Sequence, residues 1–211
     1  MMVQHILHLQ FKIFRMKNII LITLTTFFGS FINAQVIPIG FIKPPPPPIV
    51  GQSYGGGIVA YILVSGDPGY IAGQTHGIIA SSSDLGLGLK IVWNDGSTNF
   101  TTGATGTAIG TGLANTNKII ASQGNGNYAA KICKDYRGGG FDDWYLPSID
   151  ELRKLSQNRL LVGGFQTYYY WSSTERDQNN AYDLNITTPG YNGYYSKRPI
   201  ADDYVRAIRS F

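Results

Sequence analysis

Reactive side chains are few in this sequence, and their types limit the chemistry available. The chain has one cysteine, Cys133, and of its three histidines only His76 lies outside the N-terminal segment. A single cysteine excludes an intrachain disulfide and a zinc site of several thiolates, and one histidine cannot build a multi-histidine metal centre. A Cys133–His76 nucleophilic pair is formally available, but the alanine-rich sequence around Cys133 favours a buried structural thiol. We expect no catalytic residue, no metal and no cofactor.

Two pairs of adjacent aspartates raise the question of hydrolytic chemistry. Asp142-Asp143 and Asp202-Asp203 resemble glycosidase carboxylates only in residue type, because that mechanism sets two groups at a fixed separation across a sugar. Adjacent aspartates in glycine-rich or strand-edge sequence are more typical of turns and caps. A hydrolase is therefore the least favoured function, and we expect Asp143 to fix the corner before Trp144 by hydrogen bonding.

Tyrosine is the residue type that most suggests recognition: the chain has 14, and several form short runs near the C-terminus. Side chains alternate across a strand, so such a run exposes at least one ring wherever the sheet has a solvated face. Exposed rings beside asparagine suit glycans, because the ring packs on C–H faces while amides bind hydroxyls. They equally suit protein partners or simple cross-strand packing. The candidate ligand-binding residues are Tyr168, Tyr169, Tyr191, Asn192, Tyr194 and Tyr195.

The net charge of +4 does not indicate a nucleic-acid partner. Residues 1–34 carry Lys12, Arg15 and Lys17 with no acid, and the remainder holds 14 basic and 13 acidic residues, a net charge of +1. Nucleic-acid binding needs a basic patch or stripe on the domain itself, and the sequence shows none.

The first 34 residues have the layout of a secretory signal peptide. The apolar run Ile19–Ile32 follows Lys17 and leads to a small residue, Ala34, and Met16 can serve as the true start. If it is not cleaved, the uncharged stretch 18–42 has the length of a membrane anchor. Either way the domain leaves the cytoplasm. We expect a secreted or cell-surface protein with no membrane span in the mature form unless the signal is retained.

Residues 35–53 are predicted to be a proline-rich linker, and residues 54–211 one globular domain. Pro44–Pro48 favour a stiff polyproline II spacer over a ligand for a proline-reading domain. In the domain, strands precede and follow three short helices, which predicts an α+β fold whose first and last strands pair. The predicted strands are Gly56–Val64, Thr75–Ser81, Tyr168–Thr174, Ala181–Thr187, Tyr191–Ser196 and Tyr204–Phe211. The predicted helices are Leu113–Ser122, Tyr128–Tyr136 and one that begins with a Ser148–Glu151 capping box.

Seven ordered motifs across residues 54–211 resemble the Lcl C-terminal domain family, the globular heads of bacterial collagen-like adhesins. They are Gly55–Val59, His76–Ala80, Thr102–Ala104, Ala108–Gly112, Asp143–Ser148, Tyr170–Glu175 and Val205–Phe211. The resemblance implies a variant of the C-type-lectin-like fold, an extracellular location, and adhesion through glycan or glycosaminoglycan binding. The sequence has no collagen-like repeat. Trp93-Asn94-Asp95 matches a calcium-ligand string of sugar-binding C-type lectins, but it precedes the helices and more simply predicts a turn.

Several residues within or beside these motifs are expected to be structural. Arg206 and Arg209 lie three apart in a predicted strand, so they point to opposite faces and cannot form one cationic clamp. We expect them to pair with carboxylates such as Glu175 or Asp143. Trp144 and Trp171 are expected in the core. The full structural set is Asp143, Trp144, Pro147, Ser148, Glu151, Trp171, Glu175, Arg206 and Arg209.

These observations favour an exported binding module over an enzyme. The predicted ligand is a glycan, recognised by an aromatic and polar surface within about residues 165–203. The alternative is a structural or assembly protein of the cell envelope that uses the same rings on a protein partner. Neither interpretation requires turnover, a metal or nucleic acid.

Overall fold

The computed structural model of the chain describes residues 14–16, 19–21, 45–95, 101–188, 192–197 and 202–211. The chain divides into two compact units, residues 1–44 and 45–211. In the first unit, β1 (Phe14–Met16) and β2 (Ile19–Leu21) form a short antiparallel hairpin. The rest of the predicted signal segment lies outside the described residues. Within the described part, no helix combines the length and the apolar character needed to cross a bilayer.

The second unit begins with Pro45–Pro48, which form neither helix nor strand. Its strands are β3 (Ser53–Tyr54), β4 (Gly57–Ile62), β5 (Gly77–Ala80), β6 (Ile91–Val92), β7 (Tyr169–Glu175), β8 (Asn180–Asn185), β9 (Asn192–Ser196), β10 (Asp202–Asp203) and β11 (Ile208–Ser210). Its helices are α1 (Gly112–Gln123), α2 (Ala129–Asp135), α3 (Ile149–Gln157) and α4 (Arg159–Val162). The expected mixture of helices and strands is therefore confirmed.

A four-stranded antiparallel sheet contains the first hairpin and the last strand, in the order β11-β5-β4-β3. The first two predicted strands, Gly56–Val64 and Thr75–Ser81, pair as the β4–β5 hairpin, with a register irregularity between Val59 and Tyr61. The last strand joins this sheet through β5, the second strand of the hairpin, rather than through the first. The two ends of the domain are thus held in one sheet.

A second antiparallel sheet has the order β7-β8-β9, and β6 and β10 pair in a separate two-stranded ladder. The predicted strand over residues 204–211 is shorter in the structure. Tyr204 forms a parallel bridge with Tyr170, whereas Ile208 pairs with Ala80. The residues between them pass from one sheet toward the other, so only the last three residues of that segment before Phe211 form a strand.

The helices occupy the middle of the domain, as the sequence predicts. The start of α3 carries the predicted capping box: Ser148 Oγ accepts from the Glu151 amide at 3.3 Å, and Glu151 Oε2 accepts from the Ser148 amide at 2.7 Å. These bonds satisfy amides that a helix start leaves unpaired, which fixes where α3 begins.

Two hydrophobic cores lie on opposite sides of the central strands. Along β5, Ile78 belongs to one core and Ile79 to the other, and Tyr170 and Trp171 of β7 divide in the same way. Side chains alternate along a strand, so a strand buried on both faces is apolar at successive positions. This arrangement explains the unbroken apolar and aromatic runs in the sequence.

Candidate functional site

The start of β7 presents a cluster of tyrosines, which we call the tyrosine surface (Tyr168, Tyr169 and Tyr204, with Lys90). Main-chain bonds set its geometry: the Tyr204 amide donates to Tyr169 O, and the Trp171 amide donates to Tyr204 O, both at 3.1 Å. Beneath it, the buried Tyr170 hydroxyl donates to Asp84 Oδ2 at 2.6 Å. The exposed rings therefore stand on a fixed main chain.

The rings of the tyrosine surface contact one another edge to face. The Tyr168 centroid lies 5.6 Å from that of Tyr169 and 6.3 Å from that of Tyr204, with interplanar angles of 83° and 84°. Tyr168 is 46% exposed. Lys90 Nζ lies 3.8 Å from the Tyr168 centroid, a cation–π arrangement. One accessible ring is thus supported by two partly buried rings and one cation.

A second exposed ring lies elsewhere on the same sheet. Tyr194 of β9 is 54% exposed and pairs in register with Tyr182 of β8. The Arg176 guanidinium lies 3.3 Å from the Tyr194 ring centroid. In the β7–β8 pair, Tyr169 is opposite Asn185. The β8 partners, Tyr182 and Asn185, are three residues apart, so Tyr194 and Tyr169 point to opposite faces of the sheet.

The structure describes the remaining candidate ligand residues only in part or not at all. Asn192 and Tyr195 lie on β9, where the structure describes the backbone but not these side chains. Tyr191 lies outside the described residues. Of the predicted set, the structure thus brings Tyr168 and Tyr169 together and places Tyr194 apart from them.

A buried carboxyl group lies on the face of the sheet beside Tyr169. Asp183 of β8 is opposite Trp171 on β7 and Gly193 on β9, and it is only 4% exposed. Its Oδ1 is buried and makes no hydrogen bond within the described part of the chain. Burial disfavours the charged form and raises the pKa of Asp183 to about 6. No local sequence pattern marks this group, because its burial depends on pairing with two other strands.

The expected arginine–carboxylate pairing involves two different acids. Arg209 binds Asp143 through two bonds, Nε to Oδ1 at 2.6 Å and Nη2 to Oδ2 at 2.8 Å. These bonds hold the pKa of Asp143 below its usual range. Arg206 instead binds Asp84 at 2.9 Å, a residue that the sequence reasoning did not single out. The two arginines serve separate structural pairs, but they do not share a strand: Arg209 lies in β11, whereas Arg206 lies in the segment before it.

Glu175 pairs with a lysine rather than with an arginine. Its carboxylate accepts from Lys197 Nζ at 2.7 Å and from the amides of Thr102 and Gly103 at 2.9 to 3.0 Å. The amide bonds tie the end of β7 to the loop that precedes α1, and the lysine bond ties it to the residue that follows β9. Trp144 and Trp171 are fully buried, as expected for core residues.

Glu151 is a buried acid with a structural environment. Its Oε1 accepts from the Gly110 amide at 2.9 Å and from the Tyr145 hydroxyl at 3.3 Å, in addition to the capping-box bond. Burial raises the pKa of Glu151 although these bonds oppose the shift. A Cβ at Gly112 would collide with this carboxylate, so α1 begins with glycine there. These bonds join Glu151 to neighbouring backbone and to a core tyrosine, so its role is to hold the start of α3 in place.

The residues considered for nucleophilic or metal chemistry lie in separate environments. Cys133 is fully buried in the core that contains Trp144, and burial raises its pKa well above the usual value. The ring nitrogens of His76 lie 3.1 Å from Phe211 O and 2.9 Å from Gln74 Oε1. Within the described ranges, histidine, cysteine and acidic side chains form no group of three or more that could hold a metal ion.

The Trp93-Asn94-Asp95 string is part of the packing between sheet and helices. Trp93 is buried, and its Nε1 donates to Ser172 O at 2.8 Å. The Asp95 amide donates to Gln123 Oε1 at 2.8 Å. These contacts are those of a turn docked on the core.

Comparison with known proteins adds no family: no protein-family model matches the chain, and no curated protein matches it by sequence. The residues of the tyrosine surface themselves indicate its chemistry. An exposed ring beside a cation and further hydroxyls can stack on a ligand and donate hydrogen bonds, which is recognition chemistry.

Proposed function

We propose that this protein is an exported binding module that recognises glycans through the tyrosine surface, without catalytic turnover. The observation that carries the proposal is the exposure of Tyr168 on a supported edge of β7. Its neighbours Tyr169 and Tyr204 limit its rotation, so binding costs less conformational entropy than it would for a free side chain. Lys90 adds a hydrogen-bond donor beside the ring.

The proposal also includes the fold family of the second unit. We infer a variant of the C-type-lectin-like fold, of the type found in Lcl C-terminal domains. Helices placed between two groups of strands, and a last strand that returns to the first hairpin, support it. The motif residues support it too, because the Asp143–Arg209 pair and the buried Trp144 and Trp171 connect distant parts of the chain.

Export is inferred from the N-terminal sequence. The positive charge at Lys17 and the apolar run that follows are the arrangement of a signal peptide. A surface or secreted location is also where a glycan-binding module meets its ligands. Detection of the mature N-terminus by mass spectrometry tests this part of the proposal.

A glycan array at physiological salt tests the binding function. We expect wild type to bind a subset of glycans, and Tyr168→Ala to lose about tenfold or more in affinity, since aromatic contacts dominate such surfaces. Tyr54→Ala is the matched control, because Tyr54 is 45% exposed on β3, a strand of the other sheet. Full binding by Tyr168→Ala, or equal loss in both variants, would contradict the proposal.

A protein partner is the second candidate, and one loop favours it. Leu87 is 99% exposed and has a φ of +59°, a conformation that is costly for a leucine. Glycines on both sides of it also have positive φ. In this alternative, Leu87→Ser abolishes capture of a defined envelope partner, whereas the array shows no glycan signal for wild type.

A further inference from the structure

An open cleft of about 330 Å³ lies in the second unit, away from the residues of the tyrosine surface. The tip of the β4–β5 connection contributes Asp67 and Pro68, and the loop before α1 contributes Ile109. The third wall is α3, which contributes Asp150 and Gln157. These two α3 residues are seven apart and so lie on one helix face. The volume of the cleft falls at the lower end of the range for small-molecule sites.

The walls of the cleft are held in place before any ligand arrives. Asp67 Oδ2 accepts from the Tyr61 hydroxyl at 2.7 Å and from the Val64 amide at 2.9 Å. Lys154 Nζ lies 4.4 Å from the Tyr61 ring centroid, which connects α3 to the same strand. The Asp150 amide donates to Thr107 O at 3.1 Å. A preformed site avoids the cost of ordering its side chains on binding.

The charges of the cleft cancel within the protein. The lining holds two acids, Asp67 and Asp150, and two cations, Arg153 and Lys154, and Arg153 forms an ion pair with Asp150. A polyanion would meet two carboxylates, and a polycation would meet two cationic groups. The electrostatics therefore favour a ligand without net charge.

The hydrogen-bonding groups require a ligand that both donates and accepts. The carboxylates of Asp67 and Asp150 only accept, the guanidinium of Arg153 only donates, and the amide of Gln157 does both. A hydroxyl group satisfies each of these partners in turn. The mostly buried Ile109 adds an apolar contact surface for C–H groups. A pyranose matches both requirements, because it carries several hydroxyls on a ring with apolar C–H faces.

We propose that this cleft is a binding site for a neutral sugar residue, separate from the tyrosine surface. The inference goes beyond the proposed function, because it depends on other residues and holds even if the tyrosine surface binds protein. The protein then has two recognition positions, and ligands of sufficient length can engage both with increased avidity.

Titration of the isotope-labelled full chain, followed by amide NMR shifts, tests the proposal. The probes are galactose, mannose and N-acetylglucosamine, with diglycine as a zwitterionic comparison and inorganic phosphate as an anionic one. We expect at least one sugar to shift the amides of residues 67, 109 and 154 with a Kd on the order of 1 mM. Gln157→Ala should weaken that affinity about fivefold, the loss of one hydrogen bond. Gln166→Ala, an exposed glutamine outside the cleft, should leave it unchanged.

Three results would overturn the site. In the first, no sugar of the panel shifts the cleft amides. In the second, diglycine or phosphate shifts them and the sugars do not, which would assign the cleft to a charged ligand. In the third, sugar binding disappears in Tyr168→Ala and persists in Gln157→Ala, which would place the binding on the tyrosine surface alone. Loss of array binding in Tyr168→Ala with intact cleft shifts would instead support both sites independently.

Discussion

Gly193 of β9 lies directly opposite Asp183 of β8, and a Cβ at position 193 would collide with Asp183 Oδ1. The carboxyl group occupies the space that the missing side chain leaves, with the Tyr169 ring at its edge. A buried acid and a glycine are thus one structural unit. It links the stability of this sheet to pH and to the size of residue 193.

The first prediction concerns the ionisation of Asp183. Its pKa rises from 3.8 to about 6 on folding because of burial, so the folded chain holds the proton more tightly than the unfolded chain. This contribution to stability is fully present below about pH 4 and is lost as the pH rises through about 6. Asp183→Asn should therefore stabilise the protein at pH 7.5 by about 2 kcal/mol relative to its effect at pH 4. Urea unfolding at both pH values measures the difference.

Among the described residues beside Asp183 on the adjacent strands, no positive charge stabilises its ionised carboxylate. Tyr169, Trp171 and Gly193 are its described neighbours on the adjacent strands, and none carries a positive charge. Asp135→Asn is the control, because the Asp135 side chain, which pairs with Lys131, is more than half exposed. Identical pH profiles for wild type and Asp183→Asn would show that Asp183 ionises normally in the folded state.

The second prediction concerns Gly193 itself. Gly193→Ala should cost about 2 kcal/mol, because the added methyl group forces Asp183 or the β8–β9 ladder to move. In an Asp183→Ala background the same change should cost much less, since the colliding oxygen is gone. A double-mutant cycle measured by urea unfolding gives the coupling between the two sites. Additive effects would mean that the collision is relieved without strain.

The two arginine pairs should differ in their contributions to stability, which is the third prediction. Arg206 is buried, and in addition to Asp84 it donates to Ser81 O at 2.7 Å and to Gly163 O at 3.3 Å. Arg206→Ala leaves several buried acceptors without their donor and should cost about 3–5 kcal/mol.

Arg209 provides the matched comparison for that substitution. Its partner Asp143 has about half of its side-chain surface exposed, so water can replace part of the lost bonding. Arg209→Ala should cost about 1–2 kcal/mol. Midpoints of urea unfolding, with unchanged m-values, give both numbers. A larger loss of unfolding free energy for Arg209→Ala than for Arg206→Ala would contradict the view that Arg206–Asp84 is the more deeply buried pair.

Local signals in the sequence located most elements of this fold. The Ser148–Glu151 capping box and the strands around Ile78 and Trp171 follow from neighbours a few residues apart, which the sequence displays directly. The mixed fold class follows from the order of those elements. The pairing of the two arginines with carboxylates was predicted only in part: Arg209 binds Asp143 as expected, but Glu175 binds Lys197 instead of an arginine.

Partners that depend on tertiary pairing were not predictable in the same way. Asp84 and Arg206 are 122 residues apart, and Asp84 lies in a serine-rich turn that looks solvated. Lys90 and Tyr204 contribute to the tyrosine surface only because β6, β10 and the start of β7 meet. The cleft beside α3 likewise needs two loops that the sequence shows only as turns. Composition alone could not have placed these groups together.

The fourth prediction concerns Cys133 and decides between a structural and a nucleophilic thiol. The thiol is buried beside Ala129 and Ala130, and burial keeps it protonated at neutral pH. A disulfide reagent should therefore label the native protein very slowly, and labelling should accelerate only in step with unfolding by urea. Cys133→Ala should keep the fold and all ligand binding, with a stability loss of about 1 kcal/mol. Rapid labelling of the folded protein at neutral pH, slowed by His76→Ala, would instead show that the two side chains form a reactive pair. The contacts of His76 argue for the slow outcome, because they place its ring nitrogens beside Gln74 Oε1 and Phe211 O.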